Sequence, residues 1–167
     1  MQQKTSSDFM VMPWKNGGGV TRELFRLGPP EAMQLRLSQA TVSRSGPFSA
    51  YPGLARHLVL LEGEGLALTL NGRPVLLDSP HAVFHFQGED RVEAKLITGP
   101  VEDFNVMIDR GYGNAEVTVL ETTHAQVPMG RHTFLYLPAA QRLWVGFNEG
   151  LDVEFEKNER VIKVRVE

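Results

Sequence analysis

Short apolar alternations separated by turn residues recur at nearly even spacing along the chain, a period-2 pattern that predicts a β-sandwich or barrel. Helix signals are scarce, and residues 139–142 are the one weak candidate. Between Gly65 and Leu77, Leu66, Leu68 and Leu70 line one face, Asn71-Gly72 supplies a type I′ turn, and Val75 to Leu77 form the return strand. The apolar run 58–61 is too short for a typical helix and predicts a strand buried on both faces. Met33, Leu35 and Leu37 alternate with Gln34 and Arg36, after which the phase slips to Ala40 and Val42; the slip predicts a bulge near Ser38 and Gln39. Runs 92–97, 104–108, 117–120, 133–137, 143–147, 151–155 and 161–166 continue the series, with a hairpin turn at Asn148-Glu149-Gly150. About ten to twelve such strands suit two packed sheets or a pair of small barrels.

At 167 residues the chain fits one domain, or two small lobes sharing a core. It contains no cysteine, which excludes disulfides, thiolate catalysis and Cys-ligated zinc. The start, MQQKTSSDFMV, lacks a charged segment followed by a long apolar core, and no run reaches membrane-spanning length, so a cytoplasmic protein with no membrane partner is expected. A net charge of −3, from 17 basic and 20 acidic residues interspersed, offers no basic stripe for nucleic acid. A homodimer is the base-rate assembly for such a chain.

The stretch 12–24, MPWKNGGGVTREL, is not required by ordinary packing. Gly17, Gly18 and Gly19 permit positive φ and close approach at an entropic cost. Two readings are open: a backbone N–H concavity with Lys15 and Arg22 nearby, suited to a carboxylate or phosphate, or a turn that lets Trp14 cap a barrel end. Neither a P-loop nor a dinucleotide fingerprint fits, because Lys15 precedes the glycines and Arg22 stands where a third spaced glycine would fall.

No G-x-S-x-G elbow, H-E-x-x-H motif or cysteine nucleophile occurs. Glu23 and Asp103 are candidates for paired-carboxylate chemistry. Against that, Glu23 is expected to pair with an arginine and Asp103 to bind backbone amides in a turn after Pro100. His81 and His85 alternate as a strand would, roughly 13 Å apart at about 3.3 Å per residue, which is too far for one metal ion. His57 is expected on the strand face opposite Arg56. His124 and His132 lie in turn-rich sequence without an assigned role.

Residues 60–72, LLEGEGLALTLNG, resemble the middle of the first cupin motif, where a strand enters a Gly-Glu-Gly bend and returns through a hairpin. Cupins are small β-barrels that usually hold a metal through histidines and a glutamate. Aligned on Gly63, the glutamate position falls on Arg56 and the histidine positions on Ser49 and Tyr51. The second motif, aligned on residues 86–91, places Arg91 at its ligand position. Arginine is always charged and has no acceptor, so no metal and no cofactor are expected. Its planar fork suits a carboxylate instead.

Pro13-Trp14-Lys15-Asn16-Gly17-Gly18-Gly19 with Thr21-Arg22-Glu23, Ser45-Gly46-Pro47-Phe48-Ser49 to Tyr51-Pro52-Gly53 and Arg56, Leu60-Leu61-Glu62-Gly63 with Gly65-Leu66, and Gly99-Pro100 with Asp103-Phe104-Asn105-Val106-Met107 together resemble the HutD/Ves family. The resemblance implies an all-β, cupin-like fold of two small barrels forming one compact unit, the first over about 20–110 and the second mainly over 110–167 plus N-terminal strands. For the HutD branch it implies a part in bacterial histidine utilisation, moderated by binding an intermediate such as urocanate or N-formylglutamate; the Ves branch is tied to environmental stress. On this reading Arg56 grips a carboxylate, while Lys15, Asn16 and the Gly17 to Gly19 backbone meet the other polar end. Trp14, Phe48, Tyr51 and Phe104 supply apolar wall, with Asn105 and Met107 on one side and Arg22, Glu23 and Asp103 nearby. Two alternatives stand beside it: an isomerase or hydrolase acting on a small acid, and a protein-interaction regulator of the pathway.

Overall fold

A computed structural model describes every residue, Met1–Glu167. Thirteen strands and two short 3-10 turns, Ser6–Asp8 and Pro30–Ala32, account for the regular structure, with no α-helix. In chain order the strands are β1 (Gln2–Lys4), β2 (Met10–Pro13), β3 (Gly19–Leu27), β4 (Leu35–Val42), β5 (Gly46–Pro47), β6 (Leu54–Glu62) and β7 (Leu66–Leu70). They continue with β8 (Arg73–Leu77), β9 (Val83–Gln87), β10 (Val92–Leu96), β11 (Val101–Asp109), β12 (Ala115–Leu137) and β13 (Arg142–Val166). The chain divides into two compact units, Met10–Tyr112, and Met1–Phe9 with Gly113–Glu167.

The Met10–Tyr112 unit pairs a six-stranded sheet, β2-β3-β4-β11-β6-β9, with a four-stranded sheet, β5-β10-β7-β8. Leu58, Leu60, Val42 and Val101 of the larger sheet meet Leu66, Leu68, Val92 and Ala94 of the smaller in one buried cluster. The β7–β8 hairpin turns at Asn71 and Gly72, both with positive φ, as the type I′ signal requires. Strand β6 is buried from Arg56 to Leu61 on both faces.

Antiparallel register sets the side chains of the six-stranded sheet in rows that run across the strands. One row is Arg26, Arg36, Met107, Arg56 and Phe86; the next is Glu23, Ser38, Asn105, Leu58 and Phe84; the third is Met12, Thr21, Ala40, Asp103 and Leu60. Alternation sends Leu35, Leu37, Phe104, Val106 and Ile108 to the opposite face, where they are fully buried. Both faces of β4 are therefore apolar in part, and this explains the phase slip. The expected bulge near Ser38 and Gln39 is absent from β4, whose register with β11 is unbroken, and the irregularity lies on β3 between Glu23 and Phe25.

In the other unit β12 and β13 are long and pair along most of their length, with β1 on β13. Residues Thr133 to Tyr136 pair on one side with Leu143 to Gly146 and on the other with Ile162 to Arg165. Asn148-Glu149-Gly150 is not a hairpin turn. Asn148 has φ +53, but β13 runs on through it, and register slips by one residue between Val127 and Gly130; a bulge uses the same left-handed conformation that a turn would. Residues 139–142 form no helix: Gln141 N–H donates to Pro138 O in a tight turn that joins β12 to β13.

Leu58→Ala, at a fully buried position of the shared cluster, should cost about 2–5 kcal/mol in urea denaturation. A loss below ~1 kcal/mol would mean that the two sheets do not depend on this contact.

Candidate functional site

A cavity of about 440 Å³ opens on the inner face of the six-stranded sheet, at the end where its rows turn from apolar to charged. Its wall contains Trp14, Lys15, Asn16, Phe48, Tyr51, Arg56, Asp103, Asn105 and Met107 from the sequence-predicted set. Alternation along β11 explains the last three, because residues two apart share a face. The same alternation takes Phe104 out of the site: it is fully buried on the reverse of β11. Arg22 also lies off the wall, beside Glu102, whose carboxylate accepts hydrogen bonds from Gln39 and Thr41. Glu23 is not on the wall either; it is clamped by Arg36 at 2.9 Å and Arg26 at 3.1 Å.

Gly17, Gly18 and Gly19 do not line the cavity, and the loop is no open cradle of amides. Gly17 N–H donates to Trp14 O, and Gly18 N–H to Asn16 Oδ1. Gly17 supplies the positive φ of the turn. Gly19 is needed for close approach, since a Cβ there would sit 2.4 Å from Thr41 O and 3.0 Å from the Trp14 ring. The loop thus fixes the indole, whose Nε1–H donates to Thr21 Oγ1 at 2.7 Å, against the cavity. The glycine run thus forms a turn that seats Trp14 on the cavity wall.

Arg56 is 5% exposed and has no carboxylate within ion-pair distance. Its Nη1 donates to Ser49 O at 3.2 Å, and its guanidinium lies 4.7 Å from the Phe86 ring centre, 5.3 Å from Tyr51 and 5.7 Å from Phe48. Such faces stabilise a cation electrostatically. Burial lowers its pKa to about 10, opposed by Tyr51 and Asp103, so it remains charged at neutral pH. Nε is buried without an acceptor.

Asp103 is 3% exposed, and its Oδ1 has no hydrogen-bond partner. It sits mid-strand on β11 between Ala40 and Leu60, and does not bind turn amides after Pro100 as expected. Burial pushes the carboxyl up to about 7; Arg56 opposes the shift and Glu102 adds to it. Asn105 Oδ1 is likewise buried and unpartnered.

Arg36, Ser38, Thr21 and the Ser49 carbonyl complete the polar wall, and sequence reasoning missed all four. Arg36 and Ser38 occupy polar positions of an alternating strand, the signal ordinarily read as a solvent face. Phe86, the ring nearest Arg56, was also missed.

The donor set does not fit a divalent metal. Arg56 is a cation without an acceptor, Ser49 commits its carbonyl to that cation, and Arg91 is exposed beside Glu93, away from the cavity. His57 does lie opposite the cavity, as alternation predicts, with Nδ1 at 2.6 Å from His85 Nδ1; burial and His85 hold its pKa down at about 4.

These shifts act on stability with opposite signs. Asp103 moves from 3.8 to about 7, so the folded chain holds the extra proton and stability falls as pH rises through that window. His57 moves from 6.5 to about 4, so stability falls as pH drops through its window. The two windows overlap between about pH 4 and pH 6.5, where the contributions oppose each other. Asp103→Asn removes the falling one, so its urea midpoints should rise more steeply with pH across that overlap than those of wild type. An unchanged profile would show that Asp103 does not contribute.

No helix of the structure is long and apolar enough to cross a membrane. The HutD family model matches residues 6–162. The chain is 38% identical over 109 residues to an uncharacterised 21.2 kDa protein in the hutC 3' region of Pseudomonas putida, a match spanning 64% of this chain and 57% of that protein. It is 34% identical over 120 residues to protein Ves of Cronobacter sakazakii, spanning 70% of this chain and 66% of that protein. Each match thus spans less than two thirds of the relative's length. HutD from Pseudomonas fluorescens SBW25, solved in a formate condition, superposes with a TM-score of 0.85 at 26% identity, covering 99% of this chain and 98% of that one. The fold is cupin-like, and the chain belongs to the HutD family.

Proposed function

We propose that this chain binds a small carboxylate metabolite in the Met10–Tyr112 unit, an intermediate of histidine degradation such as urocanate or N-formylglutamate, and so moderates histidine utilisation. The observation that carries the reading is Arg56, a buried guanidinium on the wall of a 440 Å³ cavity with no carboxylate paired to it. A volume of that order is typical of small-molecule sites. Arg36 does not compete for the ligand on equal terms, because its Nε already donates to the Glu23 carboxylate. Lys15, exposed at the loop, adds a second positive charge toward the opening. The relative from the hutC region supplies the metabolic context.

The wall divides into an apolar and a polar side. Trp14, Phe48, Tyr51 and Met107 offer flat or flexible apolar surface to a carbon skeleton or ring, while Ser38 and Asn105 offer hydrogen bonds. Binding without turnover fits a protein that holds an intermediate according to its concentration.

Isothermal titration with urocanate and with N-formylglutamate should give saturable binding to the full chain. Arg56→Ala should weaken it by about 10- to 100-fold, the loss of a charge-assisted hydrogen bond of about 1.5–3 kcal/mol. Arg56→Lys should recover only part, for want of the planar fork. Absence of binding by either acid, or equal binding by a folded Arg56→Ala variant, would refute the assignment.

A further inference from the structure

The site so far described explains one end of a bound acid and leaves the buried Asp103 carboxyl without a role. Asp103 Oδ1 and Asn105 Oδ1 both lack a hydrogen-bond partner, and both residues face the cavity from neighbouring rows of β11. A buried acceptor without a donor is costly, so a ligand that supplies one gains more here than at a solvated site. Asp103 and Arg56 are close enough to influence each other electrostatically, yet form no ion pair. Each therefore retains its own face for a ligand.

Building on the carboxylate reading, we infer that Asp103 sets the chemistry required of the ligand's other end. An acid bearing a neutral N–H or O–H group meets Asp103 directly, whereas an acid bearing a second carboxylate is held only with uptake of one proton from solvent onto Asp103. In the second case the carboxylate becomes a carboxylic acid and donates its O–H to the incoming carboxylate, so the complex gains one proton and two anions do not face each other unscreened.

The surroundings of Asp103 favour this role. On β4 and β6 its cross-strand neighbours are Ala40 and Leu60, which are neutral and apolar. The charged groups about it are Arg56 on β6, Glu102 beside it on β11 but tied to Gln39 and Thr41, Arg36 on β4 clamped by Glu23 of β3, and Lys15 on the loop between β2 and β3. Arg56 alone of the cations acts on the carboxyl appreciably, and burial outweighs it, leaving the carboxyl near 7 and able to change state at physiological pH.

Glutarate and its monoamide, glutaramate, form a test pair of nearly equal shape in which only the far group differs. Titration calorimetry of the full chain in phosphate and in Tris, between pH 7.5 and pH 8.5, reads both affinity and protons exchanged. Glutarate is expected to bind with uptake of close to one proton and to weaken about tenfold per pH unit; glutaramate should bind with no uptake and constant affinity. Asp103→Asn should abolish the glutarate uptake and its pH dependence. Glutarate binding to wild type without uptake overturns the inference and leaves the carboxylate site standing, as does uptake that persists in Asp103→Asn. Failure of both acids to bind overturns the carboxylate reading and this inference together. The wild-type comparison decides the matter even if the variant fails to fold.

Discussion

A guanidinium buried among aromatic rings is the constraint around which the Met10–Tyr112 unit is arranged. Arg56 cannot be neutral at ordinary pH, and removing a cation from water is costly unless fixed dipoles and π-faces replace the lost hydration. Phe86 comes from the neighbouring strand in register, Phe48 and Tyr51 from the segment after β5, and Ser49 turns its carbonyl inward. Hydrogen bonds from Phe48 N–H to Val92 O and from Tyr51 N–H to Gly88 O hold that segment in place. Electrostatic need and backbone hydrogen bonding thus fix the same wall.

The rows of the six-stranded sheet explain why a cavity forms at one end and a core at the other. Leu60, Val42 and Val101 pack against Leu66 and Leu68 and exclude solvent. Two rows along, Arg36, Met107 and Arg56 place two guanidiniums with a flexible thioether between them. Charged groups of like sign cannot close on one another as leucines do. Glu23 engages Arg36, and the space beside Arg56 stays open.

Much of the strand pattern was legible because period-2 alternation survives wherever one face is buried, and the Asn71-Gly72 hairpin and the doubly buried β6 appear as read. Reading failed where one local signal serves two geometries. Asn148 and Gly150 carry turn chemistry, yet register across β12 makes their segment a bulge. Arg36 and Ser38 look like a wet strand face, and only the sheet order, which seats β4 beside β11, shows that they face a cavity. Arg56 was legible from its place against the Gly63 bend. Phe104, Arg22 and the three glycines were carried along by sequence adjacency, and alternation or turn geometry directs them elsewhere.

A guanidinium on the cavity wall limits what the cavity can recognise. A divalent ion offers open coordination positions and takes ligands as electron-pair donors, whereas Arg56 offers directed N–H groups and a single positive charge. On the proposed reading, the ligand charge that the site accepts depends on the carboxyl two rows away along β11. With Asp103 ionised, the pair of Arg56 and Asp103 sums to zero and the site suits an acid that presents a neutral donor to the carboxylate. With Asp103 protonated, the charge of Arg56 is unopposed and the carboxyl becomes a donor, which on the proposed reading suits an acid with two anionic ends. Burial of Asp103 between Ala40 and Leu60 keeps these two states within reach of each other. On the proposed reading, an apolar environment at one side chain thereby sets the polarity of ligand that the cavity admits.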